Sequence, residues 1–455
     1  MGVVHAKEPP QMRKLGQEEW KPLDEVPARV DKVRFEGIGK TKNDVLKYVI
    51  GDLLHAKNME EVVLKAHGAR QQLESLEAFD RIDIILDTSR GKDASPDGFE
   101  VTFDLKEKRS FRGGGDVVFE TGSNEPNLMF KILSPNMLGR GESLSAQFNY
   151  GKKNLGFNIE NTKPFLHWAK PKLKQSVFGS TYDNIWSAYQ EKIKGIGFEC
   201  LFESYPQVVH TLRWEGVWRD LKCLSPSTPF LIREDTGHSV KSSLKHILSF
   251  DQRDDALLPS RGSYFHLFQE YAGLGGSVNF VKNEIHYQVN KCILGDLVLQ
   301  LSFMAGLVKS IGADSSVKIN DRFFLGGPLS VRGFAQNGVG PQTQDFSLGA
   351  EAYWAAGLHA YTPLPFRPLP EFFNKFCRSH FFLNTGNIGN FAFTDDYHHN
   401  TMVLLSGLRW SCGMGLAVSL AGIAKLEINY TVPLSSQHGD RLNGGLQFGI
   451  GFNFL

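Results

Sequence analysis

The stretch Gln447-Phe-Gly-Ile-Gly-Phe-Asn-Phe-Leu455 decides how the rest of this chain is read. Phe448, Ile450 and Phe452 fall on one face of an extended strand; Gln447, Gly449, Gly451 and Asn453 fall on the other. A flat apolar strand at the edge of a soluble sheet invites aggregation. A transmembrane β-barrel uses such a strand, because its last strand closes on its first with lipid outside and lumen inside. A plain hairpin end gives the same short pattern, so the choice rests on the other residues.

The chain has 455 residues, 41% of them apolar, and its apolar runs fall far short of the ~20 residues a membrane helix needs. Mean hydropathy is −0.24, which does not exclude a barrel, since barrel strands give half their residues to a polar lumen. The 46 glycines and 34 phenylalanines against 12 tyrosines suit strands, tight turns and interfacial girdles. A net charge of +1 gives no global field to attract nucleic acid. Five widely spaced cysteines without a CxxC predict neither a disulfide framework nor a zinc site. Residues 1–10 lack an apolar signal region, and Glu8, Glu18 and Glu19 do not suit a presequence. Ala6 stands where a myristoylation site prefers Ser or Thr. A mitochondrial address would therefore lie in the C-terminal strand.

Three regions are expected. Residues 1–27, rich in Pro and charge, form a flexible tail. Residues 28–109 read β-α-α-β-β: a strand ending at Gly37, a helix with Thr41 and Asp44 as its cap, a second helix from Asn58, and two alternating strands. Val62, Ala66, Ala69, Leu73 and Leu76 step by four and three along the second helix. Residues 110–455 then change to strands and turns, for example Leu297, Leu299, Leu301 and Phe303, or Leu426, Ile428, Tyr430 and Val432.

The order in residues 28–109 resembles a polypeptide-transport-associated (POTRA) domain, with Gly37 and Thr41 at its turn and helix start. Further on, Asn136-Met-Leu-Gly-Arg-Gly141 and Asp251-Gln-Arg-Asp through Pro259 and Gly262 resemble hairpins of outer-membrane assembly factors. Asp321-Arg-Phe-Phe-Leu-Gly-Gly-Pro-Leu-Ser-Val-Arg-Gly-Phe334 is similar to the loop that defines the BamA-like superfamily. In order, these motifs identify the chain as resembling the barrel subunits of the mitochondrial sorting-and-assembly (SAM) machinery. Gln447, Gly449, Phe452 and Phe454 match the spacing of the sorting signal of mitochondrial barrels. The resemblance implies a transmembrane antiparallel β-barrel of about 16 strands behind one small α+β domain. It places the barrel in the mitochondrial outer membrane, with the N-terminal domain in the intermembrane space.

No catalytic constellation, cofactor site or metal site is read. His398 and His399 beside Asp395 and Asp396 are taken as a solvated loop. Gly113-Gly-Gly115 lacks the Lys and helix of a phosphate loop. The implied work is exchange of β hydrogen bonds: a membrane insertase for β-barrel precursors, acting through a lateral gate between first and last strands. The first gate strand is expected near 111–121, with Gly113, Gly114, Gly115, Val117 and Phe119; the last carries Gln447, Gly449, Phe452 and Phe454. The resemblance also implies that the lumenal loop Val331, Arg332, Gly333, Phe334 needs an acidic partner inside the barrel. The two acids used by bacterial relatives align with His359 and Asn384, so strand parity nominates Glu351, with His359 nearby. Implied partners are the lipid bilayer, barrel precursors, accessory subunits of a sorting-and-assembly complex and cristae-organising complexes. A passive channel and a structural anchor for intermembrane-space complexes are the alternative functions.

Overall fold

The structure is a computed structural model. It describes residues 23–90, 95–119, 126–151, 154–166, 171–312, 316–364, 376–391, 401–402, 404–420, 422, 424–452 and 454–455. The chain divides into two compact units, the first ending at Lys108 and also taking in Leu138–Arg140, the second holding the remainder.

The first unit contains β1 (Arg29–Glu36), α1 (Asn43–Val49), α2 (Met59–Ser75), β2 (Phe79–Thr88) and β3 (Gly98–Glu107). β3 is central, parallel to β1 and antiparallel to β2. It buries Val101, Phe103 and Leu105, and α2 buries Val62, Ala66, Ala69 and Leu73. The Asn58 side chain caps α2 by accepting the Glu61 amide at 2.8 Å. Glu61 reciprocates by accepting the Lys57 amide at 3.2 Å.

Thr41 does not cap α1; Lys42 holds that position without a side-chain bond. The Thr41 hydroxyl instead donates to Glu107 at 2.6 Å, and the Lys40 and Thr41 amides each donate to the same carboxylate at 2.9 Å. Partial burial works to raise the Glu107 carboxyl, but these donors outweigh it and hold the group below the usual carboxylate range. A depressed carboxyl adds stability above its unfolded value and loses it as pH falls through the folded one. Thr41→Val should therefore move the acid loss of amide protection in residues 36–49 to higher pH, read by hydrogen exchange on the full chain. An unchanged midpoint would remove Glu107 from the clasp.

The second unit is an antiparallel sheet of sixteen strands among the described residues. Its first half is β4 (Arg112–Phe119), β5 (Pro126–Ser134), β6 (Ser143–Tyr150), β7 (Asn154–Pro164), β8 (Lys172–Asn184), β9 (Tyr189–Tyr205), β10 (Val208–Cys223) and β11 (Gly237–Asp251). Next come β12 (Gly262–Gly276), β13 (Phe280–Leu294) and β14 (Leu297–Ser310), and then a loop over residues 311–351 that holds the two-residue strands β15 (Gln342–Thr343) and β16 (Phe346–Ser347). β17 (Ala352–Thr362), β18 (Cys377–Gly389), β19 (Arg409–Leu420), β20 (Ala424–Ser435) and β21 (Gly445–Gly451) complete it. The sheet order begins at β21 and ends at β4, with β14 beside β17.

Polarity in this sheet is inverted. Gln300 and Ser302 are buried between the exposed Leu301 and Phe303; Glu427 and Asn429 are buried beside the exposed Tyr430 and Val432. Apolar outside and polar inside is the pattern of a strand with lipid on one face and a lumen on the other. Strand length varies around the sheet: β9 to β13 have 15–17 residues, β4 has 8 and β21 has 7. The 311–351 loop fills part of the interior. Its Phe323, Leu325, Val331, Phe334 and Val339 form one apolar cluster with residues of β12, β13, β14, β17 and β18, and with Leu455.

Candidate functional site

Two glycines aim the loop. Gly326 (φ 105°) and Gly327 (φ 117°) adopt left-handed backbone that other residues avoid. A Cβ on Gly327 would also lie 2.2 Å from the Gln336 side chain. The turn is closed by Ser330 donating its amide to the Gly327 carbonyl at 3.1 Å. Val331 and Phe334 then enter the apolar cluster while Arg332 points to Glu427 on β20 and the Phe382 ring on β18.

Arg332 is fully buried, and its partner is Glu427 on β20. Arg332 Nε and Nη2 donate to one oxygen, Glu427 Oε2, at 3.0 and 2.7 Å. Lys425 Nζ lies 2.8 Å from the other oxygen, Oε1. The carboxylate is thus held between two cations. Asn429 Nδ2 also donates to Glu427 Oε2 at 3.0 Å, leaving Asn429 Oδ1 to accept from His380 Nδ1 at 2.9 Å. With neutral rings, His380 Nε2 is then the acceptor for His359 Nδ1, 2.9 Å away. One proton-ordered chain therefore runs from His359 through His380 and Asn429 to the Arg332 clamp.

Residues at the C-terminus complete the site. Gln447 Oε1 accepts the Gly333 amide at 3.0 Å, and its Nε2 donates to the Phe334 carbonyl at 3.1 Å. The strand does not run to the end as expected: β21 stops at Gly451, and Phe454 and Leu455 are buried inside. The Phe454 ring lies 4.2 Å from Lys425 Nζ and 5.7 Å from the Arg332 guanidinium carbon. The Leu455 amide donates to the Leu329 carbonyl at 3.0 Å. Gly449 and Gly451 leave room for this turn, since added Cβ atoms would meet Phe454 at 3.2 Å and Leu329 at 3.3 Å respectively. Phe452 remains on the outer face, and Asn453 lies outside the described residues.

Glu351 is not the partner of Arg332. It precedes β17, and its carboxylate pairs at 4.0 Å with Lys309. His359 and Asn384 both reach the site: Asn384 Nδ2 donates to the Ser330 carbonyl at 3.1 Å. Glu427 was legible by parity, because Leu426, Ile428 and Tyr430 mark the outer face and leave it on the inner one. Gly113, Gly114 and Gly115 lie in β4; Val117 and Phe119 share its backbone pairing with β5, but their side chains lie outside the described residues. His398, His399, Asp395 and Asp396 lie outside them too.

An inverted sixteen-strand sheet with an arginine loop folded against its polar face defines a membrane β-barrel with an internal loop clamp. The Omp85 superfamily domain matches residues 136–454, and the chain belongs to that superfamily, within its sorting-and-assembly-machinery branch. It is 40% identical over 473 aligned positions to the human sorting and assembly machinery component 50 homolog, covering 100% of both chains. It is 34% identical to the SAM50-like protein CG7639 of Drosophila melanogaster, covering 95% of this chain and 96% of that one. The crystal structure of BamA from Haemophilus ducreyi lacking POTRA domains 1–3 has the same fold, with a TM-score of 0.76, 18% identity, and coverage of 93% and 84%.

Removing one member of a buried ion pair costs about 3–5 kcal/mol. Glu427→Ala should therefore lower the unfolding temperature of the barrel strongly, read as heat-modifiable gel migration. Glu351→Ala, whose pair with Lys309 is partly exposed, should cost no more than about 1 kcal/mol. Equal effects of the two substitutions would overturn the assignment of Glu427.

Proposed function

We propose that this chain is a β-barrel assembly factor that inserts precursor barrels into the mitochondrial outer membrane through the seam between β4 and β21. The observation that carries the reading is the clamp: Gln447 and the buried Phe454–Leu455 segment tie the last strand to the Arg332 loop. A passive pore has no use for a loop that fills its lumen and holds its own terminal strand.

The seam strands suit exchange. At ~3.4 Å per residue, β21 is about 24 Å long, against about 51 Å for a 15-residue strand of the far wall. Fewer backbone bonds must therefore be replaced at the seam. A Cβ at Gly113 or Gly114 would meet open space, so clearance does not demand glycine there; its contribution is weaker strand pairing. Unpaired backbone in hydrocarbon costs several kcal/mol per group, and an incoming precursor strand removes that cost by β-augmentation at the open edge. In this reading the precursor's C-terminal strand pairs with β4 in place of β21, and the first unit faces the intermembrane space. Accessory subunits and cristae-organising complexes are proposed partners.

The test is crosslinking during import into isolated mitochondria. A cysteine fits at Gly115, where the nearest atom to an added Cβ is the Phe130 ring at 3.6 Å. Gly115→Cys should give a transient adduct with a cysteine in the C-terminal strand of a barrel precursor, lost as the precursor matures. Arg332→Ala should lower precursor assembly more than it lowers the abundance of this chain. Normal assembly without an adduct at any position from 111 to 119 would sink the lateral gate.

A further inference from the structure

The loop is held at a second point, far from Glu427. Arg219 on β10 and Asp321 at the root of the loop are both buried and pair through two parallel bonds, Nη1 to Oδ1 at 2.9 Å and Nη2 to Oδ2 at 3.0 Å. This is the fork geometry that makes arginine–carboxylate contacts directional. Lys282 Nζ on β13 donates to the Asp321 carbonyl at 3.1 Å. Asn320 Nδ2 donates to Glu191 on β9 at 2.6 Å, and the Ile319 amide to Asp235 at 2.9 Å. Side chains from β9, β10 and β13 thus converge on residues 320–321.

Strand order gives these contacts their meaning. β20 is second in the sixteen-strand order and β10 is tenth, so seven strands lie between them, which is half way round a ring of sixteen. A ring of this size with ~4.8 Å strand spacing and ~40° tilt is about 32 Å across. In such a ring, formed by joining β4 to β21, the two anchors lie on opposite walls, eleven residues apart along the chain. We infer that residues 321–332 are a strut across the lumen, and that Arg219 and Asp321 are positioning residues that hold the Arg332 tip in place from the far wall. Its consequence for precursor insertion rests on the assembly-factor reading; its geometry does not.

Val331, at the tip, is fully buried and can be replaced as a reporter. In full-length chain carrying Val331→Cys, with the five native cysteines changed to serine, maleimide alkylation reports release of the tip. Arg219→Met and Asp321→Asn should each raise the alkylation rate at least about tenfold, as expected when a local contact unit opens more often. The reciprocal pair Arg219→Asp with Asp321→Arg should return it to within about threefold of the parent, by restoring opposite charges. Folded single variants alkylated at the parent rate would overturn the strut. If the single variants do not fold, slow alkylation in the reciprocal pair supports it; fast alkylation, or failure of that pair to fold, overturns it. Insertion of a barrel precursor into liposomes is measured in parallel. A parent chain that inserts nothing would sink the assembly-factor reading while the alkylation rates still decide the strut.

Discussion

The buried pair between Arg332 and Glu427 is the constraint on which the interior depends. Each ion withdrawn from water carries a desolvation penalty of several kcal/mol, offset only if the other arrives with good geometry and the remaining oxygens and protons are bonded. The two residues are 95 positions apart, so the offset exists only when the loop has folded inward and β20 has turned its polar face to it. Lys425 and Asn429 then complete the carboxylate, His380 and His359 are ordered behind them, and Phe454 covers the cations. The clamp stabilises one arrangement of loop, strand and terminus rather than three separate ones.

Around it the interior has two characters. Strand faces lining the lumen are polar because no apolar core is available to a wall whose other face meets lipid. The loop supplies what those walls lack. Phe323, Leu325, Val331 and Phe334 make a compact apolar cluster inside the sheet, as a small soluble core would. Charge fixes where the loop is held, and apolar packing fixes its shape between the holding points.

Much of this was legible from residue order. Alternation marks the two faces of a strand, and the apolar members Leu301 and Phe303, and Tyr430 and Val432, are the exposed ones. The helix stripe Val62, Ala66, Ala69, Leu73 came from spacing. Three features were not legible, each for a physical reason. Local rules place Thr41 at a cap because they cannot see Glu107, 66 residues away, competing for its hydroxyl. The C-terminal strand was extended to Phe454 because alternation carries no mark of a cation pair waiting inside. Parity nominates Glu351 as an inward acid but says nothing about which strand faces the loop, and the partner is Glu427. That choice is made by the packing of the loop against β18 and β20, between residues far apart in sequence.

The unequal strand lengths have a consequence for the surrounding lipid. The far wall has strands of 15–17 residues, and β21 at the seam has 7. Mismatch between a protein surface and the hydrocarbon thickness costs fractions of a kcal/mol per ångström. β21, about 24 Å long at ~3.4 Å per residue, is shorter than a ~30 Å hydrocarbon core. The lipid beside it therefore has to thin, or the residues flanking the strand have to reach the interface.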